Sequence, residues 1–295
     1  MTLDIFFSII TITGLFIIIK KFTDWKVVAV QSLIVNYIVA SLFAFVADYQ
    51  LNITNINKVG YCLQGAVPMG FLFILSFYVA SLVAHYHGIT ITSVVGKMGS
   101  LIITVVGGVL LYSEQLSLYV ITGVILAMAS VLLANHKATE DEIIITKKKG
   151  PVKVFLLLAF YFTGSGAVDS SIKFMQAKLI TPETKSLYIV MVFLMAGMWG
   201  VLYIVYDYFK TRKGISMRSI LAGILLGSVN YFSLVFVVRA LASTGAKSAV
   251  VFSTINIGVL LLSTLSGAVL FKERFSSINY IGIGLALIAI WLLSL

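Results

Sequence analysis

The sequence predicts an all-α polytopic membrane protein whose ten transmembrane helices form two inverted five-helix repeats. Three observations lead there. First, 60% of the 295 residues are hydrophobic and only 11% are charged, against roughly 25% charged residues in soluble domains. Second, the apolar residues gather into ten runs, each close to the ~20 residues that cross a bilayer as a helix. Third, a stretch of the second half repeats a stretch of the first in register. With a mean hydropathy of +1.07, the apolar surface exceeds what one core can hide, so lipid must solvate most of it.

In chain order the runs are Leu3–Ile19, Val27–Ala47, Val59–Ala84, Ile89–Tyr112, Leu118–Ala134, Val154–Met175, Ser186–Tyr206, Ile220–Leu241, Ser248–Phe271 and Ile278–Leu293. The start, Met1-Thr2-Leu3-Asp4, lacks a basic region, and no small-residue cleavage site follows the first run. It therefore reads as a retained helix and not a removed signal peptide. The longest polar stretch, Asn135 to Lys153, follows the fifth run and carries Glu140-Asp141-Glu142 and Lys147-Lys148-Lys149. It divides the chain into 1–135, a linker 136–153, and 154–295.

Sliding the second half back until Phe232 meets Phe73 aligns Phe73–Asn135 with Phe232–Ser294 without a gap. Apolar matches are cheap in this composition. Glu114 with Glu273, Ser117 with Ser276 and Gly123 with Gly282 are not. Two related units of five spans each must lie in the membrane in opposite orientations, because five is odd. Inverted repeats of this kind mark secondary transporters, whose solute sites lie near the midplane between the repeats.

The pattern Glu-x-x-Ser-x5-Gly-x2-Leu-Ala closes each half, at Glu114-Gln115-Leu116-Ser117 with Gly123 and at Glu273-Arg274-Phe275-Ser276 with Gly282. In this the chain resembles the EamA-type members of the drug/metabolite transporter (DMT) superfamily over nearly its whole length. The resemblance implies a permease or exporter for amino acids, nucleotide sugars, phosphorylated sugars or other metabolites. It also implies a central cavity lined by the first four helices of each half.

Ionisable groups inside apolar spans cost about 2.5–3.5 kcal/mol each at the helix centre, so they mark function or pairing. Lys97 lies near mid-depth in the fourth span and is too deep to snorkel; it requires a cavity or a carboxylate. Its repeat mate is Asn256, which places the two across the pseudo-twofold axis. Asp169 and Lys173 share one helix face at i and i+4. They either neutralise each other or make Asp169 the carrier of a coupling proton. Lys173 and Arg239 lie near span ends, where their charges can snorkel to the interface. Asn36, Asn230 and Tyr78 are polar groups in spans that either bind solute or bond across helices. Glu114 and Glu273 are expected to be structural, as carboxylates near helix N-termini, and Ser117 and Ser276 as N-caps.

Other classes find little support. His85 and His87 have no Cys, Asp or Glu close in sequence to make a metal site, and Cys62 is alone. No nucleotide-binding glycine loop, HExxH motif or interfacial cluster of catalytic groups occurs, so an integral-membrane enzyme is disfavoured and no cofactor is expected. The net charge of +10 does not point to nucleic acid, because the basic residues sit in the short connections between spans. The implied partners are a small-molecule solute and the lipid bilayer, with a bacterial cytoplasmic membrane as the location. A flippase for an anionic lipid-linked substrate is the alternative within transport, since Lys97 and Arg239 could draw an anionic group.

With ten spans, one side collects Lys20, Lys21, Lys26, Lys137, Lys147, Lys148, Lys149, Lys153, Lys210, Arg212, Lys213, Arg218, Lys272 and Arg274; the other has Lys58, Lys178, Lys185 and Lys247. The positive-inside rule then puts both termini outside the cytoplasm, whereas the family resemblance implies cytoplasmic termini. In either orientation the mid-chain linker and the termini lie on opposite sides.

Overall fold

A computed structural model describes residues 2–47, 56–112, 117–134, 151–178, 185–211, 214–242 and 248–293. Nine helical segments and no strand occur among the described residues: α1 (Thr2–Lys21), α2 (Ala29–Ala47), α3 (Ile56–Tyr112), α4 (Leu118–Ala134), α5 (Pro151–Lys178), α6 (Lys185–Thr211), α7 (Met217–Ala242), α8 (Ser248–Leu270) and α9 (Ser277–Leu293). Among the described residues, six stretches are long and apolar enough to cross a bilayer, namely Leu3–Lys21, Ala29–Ala47, Cys62–Ile103, Val152–Ser171, Leu187–Lys210 and Met217–Val237. Shorter apolar helices cover Leu118–Leu133, Thr254–Leu270 and Ser277–Leu292. The chain is an all-α integral membrane protein. Its outward faces carry large apolar side chains, such as Leu132, Phe155, Phe209 and Val269, which lipid can cover.

The expectation of ten separate helices is corrected. The third and fourth apolar runs share α3, because only one residue between them, Gly88, leaves helical geometry (φ 82°, ψ 173°). That combination belongs to a region essentially reserved for glycine. A straight helix of 57 residues would be about 85 Å long, far beyond the ~30 Å hydrocarbon core, so the break at Gly88 divides α3 into two limbs.

Both sides of this break are held by charged groups from elsewhere in the chain. The Glu273 carboxylate accepts from Ile89 N at 2.7 Å and from Thr90 N at 3.4 Å. These are the first free amides of the second limb, where helix polarity favours an anion. The Lys20 ammonium donates to the carbonyl of Ala84 at 2.8 Å, at the negative end of the first limb. Glu273 is aimed by the end of α8. There Lys272 adopts a left-handed φ of 54° and Glu273 N bonds Gly267 O, six residues back, at 2.9 Å, folding the chain back over the end of the helix. The end of α1 closes in a Schellman cap, with Lys26 at φ 54° and Val27 N on Phe22 O at 2.9 Å.

The described chain forms two compact units. One comprises 1–20, 79–170 and 233–295, the other 21–78 and 171–232. In the second, α2 and α6 run antiparallel: Ile34 meets Gly200 and Ile38 meets Gly197. α2 and α7 run parallel, from Ser32 beside Ser219 through Asn36 beside Gly227 to Phe43 beside Tyr231. The two glycines of α7 permit the approach, since a Cβ at Gly223 would sit 2.6 Å from Ser32 O and one at Gly227 2.5 Å from Asn36 O.

In the first unit the second limb of α3 is central. It runs antiparallel to α8, with Thr90 beside Gly267 and Ser93 bonded to Ser263 at 2.7 Å. It runs parallel to α5, with Gly96 beside Tyr161 and Ile103 beside Gly166. α4 and α9 are antiparallel, since Asn279 at the start of α9 donates to Leu133 O at the end of α4. Val94, Met98, Ala127, Leu260, Ala286 and Ile290 join these helices in one apolar core.

Two glycine substitutions should act in opposite directions on thermal stability in detergent. Gly88→Ala forces a Cβ into the Glu273 carboxylate and into a glycine-only conformation, and should destabilise by about 2 kcal/mol or more. Gly284→Ala, in α9 with nothing within 4 Å of the added Cβ, should stabilise by up to about 1 kcal/mol through helix propensity.

Candidate functional site

The polar groups of the first unit converge where the second limb of α3 packs on α5. Gly96, Gly99 and Gly166 let the two backbones touch: a Cβ at Gly96 would lie 2.6 Å from the Tyr161 hydroxyl, and one at Gly166 2.5 Å from Gly99 O. Ser165 Oγ donates to Gly96 O at 3.0 Å. One turn further on, Ser100 Oγ donates to Asp169 Oδ2. Lys97, half-buried on the limb, lies within electrostatic reach of the Asp169 carboxylate, as does buried Tyr161. The Asp169 residue itself is exposed, so Ser100 does not use up its acceptor capacity. The result is an ammonium, a carboxylate, a hydroxyl and a phenol gathered on two helices that are otherwise apolar. Such a cluster can compensate charge on a solute or move a proton; lipid can do neither.

Asn256 is buried on α8, in the same unit as Lys97. α8 touches the limb through Ser263–Ser93 and Gly267–Thr90, and no direct bond from Asn256 to Lys97 occurs among the described residues. Arg239 is exposed in the last turn of α7. The side chain of Lys173 lies outside the described residues, and so does Glu114. Asp169 is thus seen with Ser100 as its partner. Neither Ser100 nor Tyr161 was singled out from the sequence. Their signal was present in the spacing: Ser100 follows Lys97 by one helical turn, and Tyr161, Ser165 and Asp169 recur at i, i+4 and i+8 on one face.

A second polar pair occupies the other unit. Asn230 Nδ2 on α7 donates to Asn36 Oδ1 on α2 at 3.2 Å, with Asn36 fully buried. The Asn36 Nδ2 group is buried with no hydrogen-bond acceptor among the described residues. Beside it Tyr37 packs among Phe73, Phe77 and Phe193, its hydroxyl likewise without a partner. Tyr78, further along α3, is exposed. Gln31 ties α2 to the connection before α7, accepting from Ser216 N at 3.0 Å and donating to Gly214 O at 3.3 Å.

The residues expected to be structural are placed as follows. Ser117 Oγ accepts from Val120 N at 3.3 Å, capping α4. Ser276 Oγ accepts from Asn279 N at 3.3 Å while Asn279 Oδ1 accepts from Ser276 N at 2.8 Å. This is a reciprocal capping box with Asn in the position usual for Glu or Gln. Glu273 precedes α9 in sequence, yet its carboxylate caps the second limb of α3 instead.

These features define a polytopic α-helical membrane protein with a charged cluster inside its apolar helices. No family model matches the chain. It is 26% identical over 295 residues to an uncharacterized protein of Haemophilus influenzae, covering 98% of this chain and 97% of that protein. The similarity runs end to end and carries no description of activity.

The Ser100–Asp169 bond should be measurable by a double-mutant cycle. Ser100→Ala and Asp169→Asn, alone and together, should show a coupling of about 1 kcal/mol in thermal stability. The exposure of Asp169 holds it below the 3 kcal/mol that a fully buried charged hydrogen bond can reach. Additive effects would remove Ser100 as the partner of Asp169.

Proposed function

We propose that this chain is a secondary transporter of the EamA type in the drug/metabolite transporter superfamily, moving a small metabolite such as an amino acid or other organic solute by alternating access. It has ten spans, counting the two limbs of α3 separately, in two inverted repeats, 1–135 and 154–295, joined by the linker 136–153. The bacterial cytoplasmic membrane is its location.

The observation that carries this reading is the direction of the repeat mates. With the limbs counted separately, the second span pairs with the seventh (α2 with α6), the fourth with the ninth (second limb of α3 with α8) and the fifth with the tenth (α4 with α9). All three pairs are in contact and all three are antiparallel. Inverted repeats require this. An unbroken α3 would instead make α2 and α6 point the same way. The composition of the compact units supports the same symmetry. The second holds α2 with α6 and the first limb of α3 with the first part of α7; the first holds the remaining mates. Related halves of opposite orientation are the architecture from which secondary transporters build midplane sites.

Within this reading Lys97 compensates an anionic moiety of the solute, and Asp169, held by Ser100, carries the coupling proton. Reconstituted protein screened against organic solutes, with and without a pH gradient, tests the class. A reporter in the 136–153 linker and one at the C-terminus should report opposite sides of the membrane; the same side for both would sink the five-plus-five arrangement and transport with it.

Lys97→Met should insert with undiminished thermal stability yet lose binding of carboxylate-bearing solutes, while Lys97→Arg keeps part of it. Normal transport by Lys97→Met, or its rescue only when Asp169 is also neutralised, would make Lys97 a structural ion-pair partner. Asp169→Asn should abolish uptake driven by a proton gradient and spare solute exchange.

A further inference from the structure

The capped break at Gly88 has features that a permanent joint would lack. Ile89 and Thr90 are buried at 0% and 2% exposure, yet the Thr90 hydroxyl has no hydrogen-bond partner among the described residues. It and Glu273 Oε2 flank the same space over Gly267, where an added Cβ would lie 2.6 Å from Thr90 Oγ1 and would collide with the carboxylate. They do not bond each other. Of the two amide bonds to Glu273, the one from Thr90 N is long at 3.4 Å. Gly88 sits in a conformation only glycine tolerates, which makes it a natural pivot. The two charged caps come from remote parts of the chain, Lys20 from the end of α1 and Glu273 from the α8–α9 connection, so the break senses the position of both.

We propose that Glu273 is a positioning residue for alternating access: its carboxylate, held on the amides of Ile89 and Thr90, keeps the Gly88 end of the first unit shut, and its release opens that face. This rests on the transport reading. In the closed arrangement the second limb of α3 is anchored to the end of α8, its antiparallel mate. When the carboxylate leaves, water takes its place on the two amides, the Thr90 hydroxyl gains a partner, and the limb is free to pivot at Gly88. In an inverted repeat the opposite end of the same helix pair must then close, which makes the cap a switch between faces and not merely a helix terminus.

The test uses two reporter thiols in full-length protein in which the single native cysteine is removed by Cys62→Ala. One is introduced by T90C, beside the cap. The other is introduced by A249C, at the position that the repeat register assigns as the mate of Thr90. An impermeant maleimide is applied to right-side-out and inside-out vesicles. The two thiols are expected to react from opposite faces. Glu273→Gln should speed labelling at position 90 about tenfold and slow it at position 249 by a similar factor, the reciprocal change a two-state equilibrium demands. Gly267→Ala, which crowds the carboxylate off its amides without removing the charge, should shift both rates the same way and serves if Glu273→Gln does not fold. Faster labelling at position 90 with no change at 249 would mean local fraying, and would overturn the switch while leaving transport standing; unchanged rates at both would overturn it equally. Reaction of both thiols from one face would defeat the inverted repeat itself, and the switch with it.

Discussion

The Glu273 carboxylate on the amides of Ile89 and Thr90 is the contact on which the rest of the arrangement depends. The chain presents a nearly continuous helical run from Ile56 to Tyr112, and an apolar environment strongly favours leaving such a run unbroken, because every unpaired backbone group in it is costly. A break is tolerable only where the freed amides and carbonyls find partners. Glu273 supplies an acceptor for the amides and Lys20 a donor for a carbonyl on the other side. Each charge is matched to the sign of the helix end it meets.

The same economy governs the polar side chains within the helices. Ser32 bonds the backbone at Ser219, Ser93 meets Ser263, Asn36 meets Asn230 and Ser100 meets Asp169. Each bond joins helices far apart in sequence, and several sit beside glycines whose missing Cβ lets the backbones come close: Gly223 and Gly227 for α2 with α7, Gly96, Gly99 and Gly166 for the limb of α3 with α5. Between helices in lipid the hydrophobic effect contributes little, so close packing and interhelical hydrogen bonds hold the assembly. Lys97 and Asp169 stand out against this background because each is an ionisable group that a purely structural contact would not require.

Much of this was legible in the sequence because hydropathy and periodicity are properties of the chain itself. The membrane class, the placement of most spans within a few residues, the capping serines at Ser117 and Ser276, and the singling out of Lys97, Asp169, Asn36 and Asn230 all follow from residue type and spacing alone. The lipid solvent makes each of these signals strong: a charge or an amide in a run of Leu, Ile and Val has few innocent explanations.

What only the tertiary structure decided is which remote groups answer these demands. The sequence marks Glu273 as a helix-terminal carboxylate, and proximity along the chain assigns it to the helix that follows; instead the left-handed turn at Lys272 aims it at the second limb of α3. Asp169 finds Ser100, sixty-nine residues away in the chain. The pairing of Asn36 with Asn230, and the fusion of two spans into one run broken at Gly88, are of the same kind. Local pattern determines which surfaces and polar groups must be satisfied. The choice of partner depends on helix directions and on the closeness that glycines allow, and those exist only once the helices have packed.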